Sequence, residues 1–201
     1  MKTSLFTART SILKVALILL LALSLTNCSK DDDPAAIEEQ NPFTGYLTAT
    51  GFNEKTTELI DEPAFGERGF SFIPLATGKI TAIVVKMPTA HPEMRVTIWD
   101  KAAGTVIRSE IINITTAKTE ITKVIAPLDL IKDKEYFFTF NNNDRYRRER
   151  TDGSSTTYPI TVGDIKITGF SWINGTEQVM PGNSVLNYIS GDCSFKFQKT
   201  E

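Results

Sequence analysis

The chain holds one histidine, His91, and two cysteines, Cys28 and Cys193, among 201 residues. That scarcity removes whole classes of chemistry. A metal centre built from histidine and cysteine needs three or four such ligands in reach, and a histidine-activated nucleophile needs a histidine beside it. His91 lies between Ala90 and Pro92, which reads as a turn, and no G-x-S-x-G, H-E-x-x-H or phosphate-cradling glycine loop occurs. Carboxylates are not scarce, so a glycosidase-type pair drawn from the 24 acids is the one catalytic arrangement that composition leaves open. The expectation is a protein that is not an enzyme and has no cofactor.

Long apolar runs are also lacking, with one exception near the start. The first 27 residues carry Lys2, Arg9 and Lys14 and no acid, and they lead into VALILLLALSL from Val15 to Leu25. Eleven apolar residues are too few to cross a hydrocarbon core of about 30 Å as a helix, so the pattern reads as a signal peptide. The residues LTNC that end at Cys28 resemble the lipobox of bacterial lipoproteins, in which the cysteine becomes the acylated first residue. Ser29, Lys30, Asp31, Asp32 and Asp33 then resemble the surface-export signal of Bacteroidetes lipoproteins. These resemblances imply an outer-membrane protein, lipid-anchored through Cys28 and exposed at the cell surface. A solvated linker is the plainer reading of the charge run.

Removing residues 1–27 leaves 19 basic against 24 acidic residues, a net charge of −5. A nucleic-acid partner, which would call for a basic face, is not expected. Residues 28–44 are charged and punctuated by proline, so they read as a flexible linker, and residues 45–201 suit a single domain. No helical stripe appears after the signal.

From Tyr46 onward, short β-branched and aromatic runs alternate with polar residues between Gly, Pro, Asn and Asp punctuation. Candidate strands are 46–51, 69–75, 79–87, 94–99, 105–112, 120–126, 134–141, 158–162, 165–173 and 193–199. Many short strands separated by turns predict an all-β fold, an antiparallel β-sandwich or jelly roll. Alternation assigns Met94, Val96 and Ile98 to a core face, with Tyr136, Phe138 and Phe140, and with Cys193, Phe195 and Phe197. Cys193 then reads as a buried thiol, and acylation of Cys28 would leave it no disulfide partner.

The runs GKITAIVVKMP, VTIWDKAAGTVIRS and APLDLIKDKEYFFTF, followed by Arg145-Tyr146, resemble a bacterial β-sandwich module known as domain-of-unknown-function family 4082. The matching residues are Trp99, Asp100, Gly104, Pro127 and Tyr136, with Tyr146 beyond them, and the likeness covers roughly residues 68–150. The family recurs in secreted and sugar-related proteins, so the resemblance implies a binding or spacer module and carries no catalytic residues.

Two candidate sites follow. In NNNDRYRRER, residues 141–150, Arg145, Arg147, Arg148 and Arg150 together with Tyr146 would clasp an anionic ligand. Asp144 and Glu149 would instead make the segment a solvated strand end with local ion pairs. Its oxygens would suit a structural Ca2+, but turn chemistry accounts for the asparagines more simply. The second candidate comes from alternation, which puts Trp99, Phe170 and Trp172 on polar faces, where rings would stack on an extracellular carbohydrate. Alternatively a loop, the N-terminal segment or the second sheet covers those rings. The function expected is a non-catalytic binding or adhesion module with an extracellular glycan as ligand, or else an accessory subunit that meets another envelope protein.

Overall fold

The structure, a computed structural model, describes residues 38–201. Cys28, Lys30, Asp31, Asp32 and Asp33 lie outside the described residues. The fold is all-β and antiparallel, in three sheets packed around one core. The four-stranded sheet runs in the order β1 (Glu39–Gln40), β14 (Asp192–Lys199), β4 (Gly78–Lys86), β7 (Ile121–Leu130). The seven-stranded sheet runs β10 (Ile160–Val162), β11 (Ile165–Asn174), β3 (Gly66–Pro74), β8 (Tyr136–Asn142), β5 (His91–Asp100), β6 (Thr105–Ile114), with β12 (Asn183–Val185) beside β11. A three-stranded sheet, β13 (Tyr188–Ser190), β9 (Arg145–Glu149) and β2 (Lys55–Leu59), completes it.

The core follows the alternation. Met94, Val96, Ile98, Tyr136, Phe138, Phe140, Cys193, Phe195 and Phe197 are each at most 3% exposed and lie in one apolar cluster. Phe195 sits against Phe70, Phe72 and Phe138, with ring centroids 4.7 to 6.0 Å apart, which joins the large and four-stranded sheets through tilted aromatic pairs. Burial pushes the Cys193 thiol well above its usual range, so it stays protonated and inert.

Residues 46–51 correct the expected strand, because Pro42–Thr50 form a helix, α1. Asn41 caps it by accepting from the Phe43 N–H at 3.1 Å, Pro42 occupies its first turn, and Gly51 ends it in the left-handed region at φ 75°. Tyr46 and Leu47 are buried from this helix, and Tyr46 packs on Phe70 at 6.2 Å. The expected linker 28–44 is corrected at its far end as well. Glu39 and Gln40 pair with Gln198 and Phe197, and Gln40 donates to Asp164 at 2.7 Å, so these residues belong to the folded domain.

The small sheet feeds directly into the four-stranded one through Gly191. Its φ is 93°, and an added Cβ would lie 2.0 Å from Phe140 Cζ, so this corner has room for glycine alone.

Candidate functional site

The expected aromatic platform does not form. Trp99 lies on the outer face of the large sheet, with Arg95 and Thr97, but is only 3% exposed. Its indole N–H donates to Thr139 Oγ1 at 2.9 Å, and Thr139 donates in turn to Glu67 Oε1 at 2.6 Å. Glu67 is fully buried and also accepts from Arg95 Nη2 at 2.9 Å and Asn141 Nδ2 at 3.2 Å. The segment after β11 closes over this network. Gly175 and Thr176 carbonyls accept from Asn141 and Arg95, and Gln178 Nε2 donates to Thr97 and Ser109 hydroxyls.

Phe170 and Trp172 are on the opposite face from the one expected. The register between β11 and β3 slips between Ile167 and Gly169, leaving Thr168 as an extra residue. That bulge reverses the alternation beyond it. Thr168 stays outside, bonded to Ser71 and Glu135, while Phe170 comes opposite Phe70 and Trp172 opposite Arg68. Phe170 is then core, 3% exposed with its ring edge on Tyr188, and of the three expected aromatics only Trp172 stays half-buried at an opening.

The arginine-rich run is also corrected. It is the middle strand of the small sheet, so successive residues face opposite sides and cannot form one clasp. Tyr146 is 5% exposed, and its neighbour Arg148 makes a two-pronged pair with Asp192, Nε to Oδ1 at 2.6 Å and Nη2 to Oδ2 at 2.5 Å. The bond to Asp192 holds the Arg148 guanidinium above its usual range. Arg147 bonds Glu149 and lies 4.3 Å over the Tyr188 ring, and Arg150 donates to the Thr50 carbonyl at the end of α1. In the Asn141–Asp144 run, the side-chain oxygens of Asn142 and Asp144 are taken up within the fold. Asn142 Oδ1 accepts from the Asp144 N–H, and Asp144 accepts from Asp61 and Thr89. Among the described residues, no three His, Cys, Asp or Glu side chains gather as a metal cluster.

Arg145 leaves this strand in the other direction, toward a pocket of about 240 Å³ at the end of the sandwich. Trp172 and Asn174 of β11, Arg68 of β3, and Tyr188 and Ser190 of β13 line it, with Glu62 at its rim. Arg68 is 4% exposed. All its hydrogen bonds among the described residues go to neutral oxygens: Gly66 and Asn142 carbonyls at 2.8 Å each, and Asn174 Oδ1 at 3.4 Å. Burial, reinforced by the charge of Arg145, pushes this guanidinium down to about 10. Arg145 donates to the Asn143 carbonyl at 3.0 Å and reaches Glu62 only at 3.5 Å, and its buried Nε has no partner. Burial lowers this guanidinium too. Both remain cations at neutral pH.

Of the expected residues, the pocket therefore unites Trp172 and Arg145, while Trp99, Phe170, Tyr146 and Arg148 are built into the fold. Arg68 and Tyr188 were not anticipated. The signal for Arg68 is in the run itself, where Arg68, Phe70 and Phe72 share one face and put a charge on an aromatic stripe. Fold and pocket together define a β-sandwich with a cationic, aromatic-walled recess. No protein-family model matches the chain, and no curated protein matches it.

Proposed function

We propose that this chain is a cell-surface lipoprotein, anchored in the outer membrane through Cys28, whose β-sandwich is a non-catalytic binding module for an extracellular carbohydrate. The observation that supports the ligand class is the pairing of Trp172 and Tyr188 with convergent donors around one recess. Flat rings meet the apolar faces of sugars while polar neighbours take the hydroxyls. The resemblance to family 4082 points the same way. Affinity electrophoresis of the detergent-solubilised protein through dextran, galactan, polygalacturonate and dextran sulfate tests it. Retardation by at least one polysaccharide, lost in Trp172→Ala with the circular dichroism unchanged, is the expected result. Migration indifferent to all four removes the carbohydrate reading. Mass spectrometry of the native protein tests the anchor: an unacylated N-terminus at any residue other than Cys28 removes it.

An accessory-subunit reading draws on a separate observation. Strands β6 and β7 end their sheets and expose Val106, Ile107, Ile111 and Val124, the last 79% accessible. Free strand edges with apolar side chains suit pairing with another chain. Crosslinking in intact membranes followed by purification would recover a stoichiometric envelope partner on this reading and none on the first.

A further inference from the structure

The pocket carries more positive charge than the fold uses. Arg68 has no carboxylate among its hydrogen-bond partners, Arg145 has a buried and unpartnered Nε, and the one acid in the lining, Glu62, is 36% exposed and 3.5 Å away. The carboxylate nearest in sequence, Glu67, is committed on the opposite face to Arg95, Thr139 and Asn141. Buried guanidinium groups are ordinarily paired, because desolvating an unmatched cation is costly. The two that line this recess, each with a fork of donors suited to two oxygens at once, share a single lining carboxylate, Glu62, among the described residues, one anion fewer than would match them.

Taking the carbohydrate reading as its basis, we propose that the recess accepts the acidic group of a single charged sugar residue, a carboxylate or a sulfate ester, between Arg68 and Arg145. The sugar ring lies toward Trp172 and Tyr188. A recess of about 240 Å³ is smaller than the roughly 300–1,000 Å³ of sites that enclose whole ligands, so it takes one unit or a chain end. Tyr188 is held ready for this, with Arg147 over its ring at 4.3 Å and the Phe170 edge at 6.3 Å. Gly66 leaves room for the arginine, since a Cβ there would come within 2.5 to 2.7 Å of the Arg68 guanidinium. A chain of net charge −5 after residue 27 has no general attraction for polyanions, so binding them requires a local site.

Affinity electrophoresis at 0.15 M NaCl with polygalacturonate, dextran sulfate and neutral dextran tests this in wild type, Arg145→Gln, Arg68→Lys and the remote surface variant Arg108→Gln. Expected is at least tenfold weaker retardation by one of the acidic polymers in Arg145→Gln and Arg68→Lys, with Arg108→Gln like wild type. Whether polygalacturonate or dextran sulfate is the better ligand tells carboxylate from sulfate. If Arg68→Lys does not fold, Arg145→Gln alone decides, since its side chain lies nearer the opening. Equal binding of dextran and the acidic polymers, unchanged by Arg145→Gln but lost in Trp172→Ala, overturns the acidic-sugar proposal and leaves the carbohydrate reading standing. Acidic-polymer binding that Arg108→Gln weakens as much as Arg145→Gln overturns it too, as general ion exchange. Retardation by neither acidic polymer overturns the acidic-sugar proposal, and retardation by none of these polymers nor by galactan overturns both.

Discussion

Replacing Arg95 by methionine should cost more than its partly exposed setting suggests. Glu67 is fully buried and accepts from three donors, of which only Arg95 is a cation. Methionine keeps much of the apolar stem of Arg95 and removes the guanidinium, leaving the carboxylate with two neutral donors in a sealed site. Removing one partner of a buried pair destabilises by about 3–5 kcal/mol. Two remaining hydrogen bonds, and the 23% exposure of Arg95, place the expected loss at the lower end, about 3 kcal/mol. Glu67→Gln should cost less, about 1–2 kcal/mol, because a freed Arg95 can reach water while a freed Glu67 cannot.

Arg95 also holds the Thr176 carbonyl at 3.0 Å, so its loss loosens the segment over Trp99. Urea unfolding in a Trp172→Phe background isolates Trp99, the other of the two tryptophans. Arg95→Met should lower the midpoint and shift Trp99 emission to the red, and the double variant with Glu67→Gln should lose less than the two single losses added. A loss below about 1 kcal/mol for Arg95→Met, the range of a surface ion pair, would refute the reasoning.

Gly191→Ala combines a left-handed φ with a Cβ 2.0 Å from Phe140, and thermal unfolding should show a loss of about 3 kcal/mol or more. Asn41→Ala removes the cap of α1 and should cost about 1 kcal/mol in the same assay, with the β-sheet circular dichroism intact. Burial pushes the Tyr158 phenol up to about 12 and raises Tyr46, its hydrogen-bond partner, well above the usual tyrosine range. The folded chain then keeps protons that the unfolded chain releases, so stability is full below about pH 10 and falls as the pH rises through about 12, by about 3 kcal/mol at most for Tyr158. Urea titrations across that range should show a shallower decline in Tyr158→Phe.

Much of the fold is legible in the residues because burial in a sandwich is periodic. The runs around Val96, Phe138 and Phe195 alternate cleanly, and their cores are the ones alternation assigns. The helix is missed for a physical reason: YLTATG alternates apolar and polar and carries β-branched threonines, while the capping signals Asn41, Pro42 and Gly51 stand outside it or at its edge. Strands β2 and β9, KTTEL and RYRRE, have strand form with a single apolar or aromatic residue each, Leu59 and Tyr146. They exist because each finds a partner far away in the chain, with Lys55 opposite Glu149 and Leu59 opposite Arg145, and no local window records that.

The candidate site was the least legible part, and one residue accounts for most of the difference. Without the extra Thr168, strict alternation would carry Trp172 to the outer face with Lys166, and Arg68 would have no aromatic neighbour from β11. The bulge turns Trp172 inward to stand opposite Arg68, whose partner on the other side, in β8, is Phe140. Gly169, a lone glycine inside a strand pattern, is the trace of that irregularity in the sequence. An arginine between a tryptophan and a phenylalanine finds no opposite charge on either neighbouring strand. Among the described residues, the cation is left to be matched from the small sheet, from a loop or by a ligand. The small sheet brings a second cation, Arg145, with Glu62 of the β2–β3 loop only at 3.5 Å from it. The position left for an anion is thus a consequence of register, and register is what a one-residue bulge changes.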